Sequence, residues 1–213
     1  MIKLDKLAKP AVLAANEAVW TKEYIRLKNG DTTVPKAAQF RYRHPDIKEA
    51  LREEASDKCI FCESKISHIF PGETDHIIPI SKKHEDVVNW YNLGYVCKEC
   101  NRFKSNYHDD NLPLLNPFVD EPSEHLMFFG PLVLAKTGQN RGQITTDLLQ
   151  LSRAALVERK KEKIEKVKAL LDRAESLPEG DAREFLLEQA RQESAPEREF
   201  SATISAFLKA AEA

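Results

Sequence analysis

The segments Cys59-Ile60-Phe61-Cys62, Thr74-Asp75-His76-Ile77-Ile78-Pro79 and Gly94-Tyr95-Val96-Cys97-Lys98-Glu99-Cys100-Asn101 decide the fold. Residues 74–78 are short, rich in β-branched side chains and bounded by Pro71-Gly72 and Pro79, which predicts a strand. Residues 94–96 predict a second short strand. Residues 98 to about 107 contain neither glycine nor proline and predict a helix. The order is strand, long loop, strand, helix, with a Cys-x-x-Cys pair before the first strand and another at the helix start.

The two pairs, Cys59/Cys62 and Cys97/Cys100, are 34 residues apart and are all the cysteines in the chain. A two-residue gap lets both sulfurs of a pair point at one centre, and zinc takes four such ligands tetrahedrally. Four thiolates leave no open coordination position, so the expected zinc site is structural. Four unrelated cysteines would show no such paired spacing. A redox pair would call for a matching βαβ context, which neither pair has.

Working outward, residues 1–57 read as mostly helical. Leu4, Leu7, Val12, Ala15, Val19 and Trp20 give a ragged apolar stripe, Asn29-Gly30-Asp31 a loop, and Asp46 with Glu49 a capping-box-like pattern opening a helix to about Ala55. Residues 58–108 form the core just described. Residues 109–213 begin with a proline-rich connection. A hairpin is expected at 126–129 and 132–135 around Gly130-Pro131, followed by helices after Gly142. Ile164, Val167, Leu171 and Ala174 line one face of the first, and Pro178-Glu179-Gly180 ends it. Ser194-Ala195-Pro196-Glu197 reads as a capping box opening a last helix with Phe200, Ile204, Phe207 and Leu208 on one side. That stripe fits core packing, with partner docking as the alternative. The fold class is α+β, mostly helical, with a small ββα core and its four-cysteine zinc site embedded between N-terminal and C-terminal helical regions.

The net charge of the 213 residues is −2. A chain gripping nucleic acid unaided over a long footprint carries a basic excess. Here, basic residues must cluster locally or a partner must supply much of the grip. The charged start Met1-Ile2-Lys3-Leu4-Asp5-Lys6 lacks the apolar run of a signal peptide, and no stretch approaches the roughly 18 apolar residues of a membrane span. A soluble cytoplasmic protein with reduced thiols is expected.

The zinc site encloses Asp75, His76 and Asn92, and Asn101 follows the last cysteine directly. Together these suit phosphodiester hydrolysis. A hard cation such as Mg²⁺ or Mn²⁺ takes oxygen ligands, which Asp75 and Asn101 provide. Neutral His76 can take a proton from an attacking water. Asn92 can hydrogen-bond across the loop and fix the orientation of His76. Lys104, one helical turn from Asn101, and Arg102 are candidates to contact phosphates. Each residue alone is commonplace; the ordered set is specific. His68, His84 and His108 have no place in this scheme and are expected at the surface.

Cys59-x-x-Cys62, Asp75-His76-Ile-Ile-Pro79, Asn92-Leu93 and Cys97-x-x-Cys100-Asn101-x-x-Lys104 resemble the HNH endonuclease motif. The resemblance implies a ββα-metal fold with one divalent catalytic ion and a four-cysteine zinc site. It makes His76 the general base, Asp75 and Asn101 the metal ligands and Asn92 the central asparagine. The third motif position departs from the letters, with Asn101 standing for histidine. Arg43 to Leu51, Lys58 to Glu63, Asn89-Trp90-Tyr91-Asn92-Leu93, Leu115-Asn116-Pro117 and Gly142…Leu151-Ser152-Arg153 extend the likeness over roughly residues 40–160. They resemble the PtuB-like HNH proteins. That family includes nuclease subunits of Septu and some retron anti-phage systems, which work beside an ABC-type ATPase, PtuA. The resemblance implies a nuclease effector acting on nucleic acid, DNA rather than RNA, with an ATPase partner. A stand-alone restriction or homing enzyme and a non-catalytic zinc module that only binds are the alternatives. The first needs a specificity reader, and none is evident. The second has no use for the Asp75-His76-Asn92-Asn101 set.

Overall fold

The computed structural model describes residues 1–66 and 71–211. The elements run α1 (Ala11–Lys28), a 3₁₀ segment (Lys36–Arg43), α2 (Pro45–Glu54), β1 (Glu73–His76), β2 (Leu93–Val96), α3 (Lys98–Lys104), α4 (Pro122–His125), β3 (Leu126–Phe129), β4 (Leu132–Ala135), α5 (Asn140–Leu148), α6 (Ala154–Glu175), α7 (Asp181–Gln192) and α8 (Ser201–Ala211). The class is α+β and mostly helical, and the strand–loop–strand–helix order stands. β1 and β2 form an antiparallel pair, as do β3 and β4. The second pair falls on the expected hairpin residues. No described helix is long and apolar enough to cross a membrane.

Three local expectations shift. The apolar stripe of α1 is Leu13, Trp20 and Tyr24, whereas Val19 is exposed; Leu4 and Leu7 precede the helix. Residues 1–10 instead form a strap over the core. Leu4 N donates to the Pro117 carbonyl at 2.9 Å, and Trp90 Nε1 to the Leu7 carbonyl at 2.9 Å. The Lys6 ammonium binds the Leu93 carbonyl at 2.7 Å and Glu54 Oε1 at 2.9 Å, lying over the Trp90 and Phe118 rings. The cap of α2 is His44, whose Nδ1 accepts from Asp46 N, and Asp46 sits inside the first turn. Finally, α8 begins at Ser201, not at Ser194. The Lys58 ammonium takes the carbonyls of Pro196 and Arg198, and Glu199 Oε1 accepts from Lys65 N at 3.0 Å. Tertiary partners thus claim groups that a helix opened by the capping box would have used.

One cluster of buried side chains runs from the strap through α2, both cysteine pairs and β2 to Phe200. A second, smaller cluster of Val167, Ala190 and Ile204 joins α6, α7 and α8, with Ile164 and Leu171 packed against it. The helical stripe read on α6 and the apolar side of α8 are therefore core.

Candidate active site

β2 is buried along its whole length, and the first cysteine pair lies on it. Ile60 N donates to the Tyr95 carbonyl at 3.0 Å. A Cβ on Gly94 would come within 2.4 Å of Ile60 Cδ1, so any larger residue there would have to displace the Ile60 side chain. After β2 the chain turns at Cys97, which is also the N-cap of α3: its sulfur accepts from Cys100 N at 3.4 Å. The four Sγ atoms lie within 4.8 Å of one another, with Cys62 and Cys97 at 3.8 Å. A tetrahedral ion with sulfur bonds of about 2.3 Å requires sulfur separations of about 3.8 Å. The cluster therefore fits one metal ion. Arg153 reaches it from beyond α5, with Nη2 3.8 Å from Cys100 Sγ and 4.0 Å from Cys97 Sγ.

The register Asp75↔Gly94 and His76↔Leu93 fixes which way each β1 side chain points. Side chains alternate along a strand. Glu73 and Asp75 meet α3, while Thr74 and His76 turn to the buried face. Asn101 Nδ2 donates to Glu73 Oε2 at 2.5 Å. One turn on, the Lys104 ammonium stands 3.0 Å from Asp75 Oδ2, although that oxygen makes no aligned hydrogen bond. Lys104 is 1 % exposed and faces inward, so it is not placed to meet a phosphate as its spacing suggested. Arg102 is exposed and pairs with Glu99 at 2.7 Å. Burial pushes the Asp75 carboxyl up from its ordinary value against the opposing pull of Lys104. Oxygen donors from Asp75, Glu73 and Asn101 thus share one face. Their chemistry fits a hard divalent cation.

His76 is 4 % exposed. Its Nε2 lies 2.8 Å from the Val87 carbonyl, and the Tyr42 ring meets it at 4.5 Å, nearly edge-on. A carbonyl only accepts, so Nε2 carries the proton and Nδ1 the lone pair. Burial drives the imidazole pKa down to about 4, and the charges of Lys104 and Arg43 push the same way. The ring is neutral near pH 7. It does not lie in the open cleft beside Asn101; that cleft is lined by Arg43, Lys48, Gly72, Glu73, Thr74 and Asn101, among others. Asn92 makes no hydrogen bond to His76 among the described residues either. Its side chain clamps Ile78 from both sides, Oδ1 accepting from Ile78 N at 2.8 Å and Nδ2 donating to Ile78 O at 2.9 Å. The clamp fixes the backbone two residues beyond the imidazole. His84 is exposed, with its ring edge-on to Tyr24. His108 is partly buried beside Asp110, and His68 lies outside the described residues.

A pH dependence follows. The folded pKa of His76, about 4, lies below the unfolded value of about 6.5, so the folded state binds fewer protons between them. The stability contribution is complete above about pH 6.5 and is lost as pH falls toward 4, by about 3 kcal/mol. Urea unfolding across that window, without added Mg²⁺, is expected to show a stability loss in the wild type that His76→Phe lacks. Parallel curves for the two proteins would refute it.

Sequence reasoning passed over Glu73, Tyr42 and Arg43. Glu73 was accessible, because it lies two residues before Asp75 and strand alternation puts both on one face. Tyr42 and Arg43 reach the site by tertiary packing of the 3₁₀ segment, which no local pattern announces.

Residues 59–107 match the family model described as HNH endonuclease. The chain is 31% identical over 224 residues to the Septu protein PtuB of Bacillus thuringiensis, covering 98% of this chain and 82% of that protein. It is 29% identical over 196 residues to the Septu protein PtuB of Bacillus mycoides (strain KBAB4), covering 74% and 65%. Given likeness along nearly the whole length and the nuclease motif at its centre, the chain belongs to the PtuB family of HNH endonucleases.

Proposed function

We propose that this chain is the nuclease subunit of a Septu-type anti-phage system in the cytoplasm, hydrolysing DNA phosphodiester bonds beside an ABC-type ATPase. The observation that carries the chemistry is the tautomer of His76. Its Nε2 proton is committed to the Val87 carbonyl, and the ring is neutral. Nδ1 is thereby the ring's basic atom and would take a proton from a water admitted to the buried face of β1, on the other side of the strand from the Asp75 and Asn101 donors. Tyr42 fixes the ring plane, and the Asn92 clamp fixes the loop that follows.

Cys59, Cys62, Cys97 and Cys100 would hold zinc, which ties β2 and the start of α3 to the first cysteine pair. Asp75 and Asn101, with Glu73 beside them, would hold Mg²⁺ or Mn²⁺. When bound there, a divalent ion polarises the scissile phosphate and stabilises the leaving oxygen. Lys104 acts from beneath, compensating the buried Asp75 charge rather than gripping substrate. Arg102, exposed on the outer face of α3, remains free to meet a phosphate once released from Glu99.

The near-neutral net charge favours a partnered enzyme over one that holds DNA alone. Purified chain should be offered plasmid DNA and tRNA with Mg²⁺ or Mn²⁺, with and without a PtuA-like ABC-type ATPase. Plasmid cleavage that needs the divalent ion and rises with the ATPase is expected. Cleavage at full rate without the ATPase would favour a stand-alone nuclease. Attack on tRNA alone would replace DNA as the target, and no cleavage in any combination would defeat the nuclease reading.

A further inference from the structure

The cleft itself, of about 360 Å³, is lined by Asn101 and Glu73 and by Arg43 and Lys48, and a second hollow adjoins it. The second, also about 360 Å³, runs past Arg52 and Tyr95. Lys48 and Pro71 line both, so together they form one trough that leaves the cleft and crosses the start of α2.

The charges along this trough are uneven in their partners. Arg52 is occupied by Glu49 at 3.3 Å and Asp57 at 3.0 Å. Arg43 and Lys48 have no acidic partner among the described residues. Arg43 is exposed; its Nε donates to Tyr42 Oη at 3.0 Å, and its guanidinium lies over the Phe40 and Tyr42 rings. Stacking of this kind holds the guanidinium in place and leaves its Nη donors available. Glu73 is the acid at the inner end, where the oxygen donors for a divalent ion gather.

Two hydroxyls supply a second, independent sign. Thr74 Oγ1 and Tyr95 Oη are buried and make no hydrogen bond among the described residues, and each belongs to a residue lining the trough. Thr74 is 8 % exposed and Tyr95 1 %. A buried donor without an acceptor is costly, and native structures rarely leave one so. A ligand rich in acceptor oxygens would satisfy both.

We propose that this trough carries the sugar–phosphate backbone of the nucleic acid, with Arg43 and Lys48 each contacting a phosphate flanking the cleaved bond. Thr74 and Tyr95 donate to backbone oxygens. The proposal rests on the nuclease reading of the cleft and names the positioning residues for it.

The test is direct binding of a 20-base-pair fluorescein-labelled duplex to zinc-loaded protein without added Mg²⁺, followed by anisotropy between 50 and 200 mM salt. Each phosphate contact contributes about 0.9 to the slope of log affinity against log salt. The double variant Arg43→Ala/Lys48→Ala is expected to flatten the slope by about 2, whereas Arg43→Lys keeps most of it. Lys168→Ala, on the remote α6 and paired with Asp172, should leave the slope unchanged. Thr74→Val is expected to leave thermal stability unchanged or raised, because it removes an unpaired hydroxyl, yet to weaken binding about fivefold. That combination is not what a structural threonine gives. An unaltered slope in the double variant, with zinc content and circular dichroism intact, would overturn the proposal. So would a wild type whose binding shows no salt dependence. A flattened slope in a protein that cleaves nothing would keep the trough and reject the nuclease; normal cleavage with an unaltered slope would do the reverse.

Discussion

Replacing His76 with alanine is expected to lower kcat for plasmid cleavage by about 10²–10⁴-fold, the usual contribution of a positioned general base. KM should change little, since the buried imidazole offers substrate almost no surface. The variant also leaves the Val87 carbonyl without its donor, which costs about 1–3 kcal/mol of stability. Zinc content and circular dichroism must therefore be matched before rates are compared. Added imidazole should restore part of the rate, because the deleted side chain leaves a space of its own shape beside Tyr42. Wild-type cleavage should hold its rate from pH 7 down to about pH 5, as the ring stays neutral there. An unchanged rate in His76→Ala would remove the base from the proposed chemistry. Loss of activity without imidazole rescue, together with loss of zinc, would mark His76 as a packing residue instead.

How much of this was legible in the sequence depends on whether the deciding force is local. The two strands and α3 were, because β-branched runs, proline boundaries and the Cys-x-x-Cys spacing all act within a few residues. The β3–β4 hairpin was legible from Gly130-Pro131 between two apolar runs. The cysteine cluster was legible because the chemistry of four thiols dictates one centre. Helix ends were less so. Ser194-Ala195-Pro196-Glu197 has the composition of an N-terminus, yet Lys58, 138 residues away from Pro196, captures the carbonyls that follow. Lys104 shows the same limit at the site. Its spacing from Asn101 correctly placed both on one face of α3. Whether that face looks toward substrate or toward Asp75 depends on how the helix docks on β1, which spacing does not determine. The expected roles set His76 to work beside the Asp75 and Asn101 donors, whereas alternation along β1 already argued that neighbours 75 and 76 point to opposite sides.

Removing the metal from the cysteine cluster, by chelation or by Cys100→Ala, is expected to cost on the order of 10 kcal/mol. That is comparable with the whole stability of a domain of ordinary size, about 5–15 kcal/mol, so loss of structure and not mere softening should follow. The loss should be directional. Ile60 is bonded to β2, and Cys97 caps α3, so β2 and α3 are affected first. Lys58 and Glu63, which flank the first cysteine pair, also hold the segment that leads into α8. Lys58 binds the Pro196 and Arg198 carbonyls, and Glu63 Oε2 accepts from Ser201 Oγ at 2.8 Å and Ala202 N at 3.2 Å. The start of α8 should therefore lose protection with the cluster. Beyond its first turn, which adjoins the cluster through Arg153 and Leu156, α6 packs on α7 through Val167 and Ala190, and these parts should keep theirs longer. Hydrogen exchange of the metal-stripped protein tests this order: fast exchange in β2, α3 and the start of α8, with slower exchange along α6 and α7. Uniform protection after complete zinc removal would mean that the four sulfurs do not hold the fold. Uniform loss would mean that α6 and α7 have no stability of their own. Re-addition of Zn²⁺ should restore protection in β2 and α3, since their ligands are the groups whose repulsion and desolvation the ion relieves.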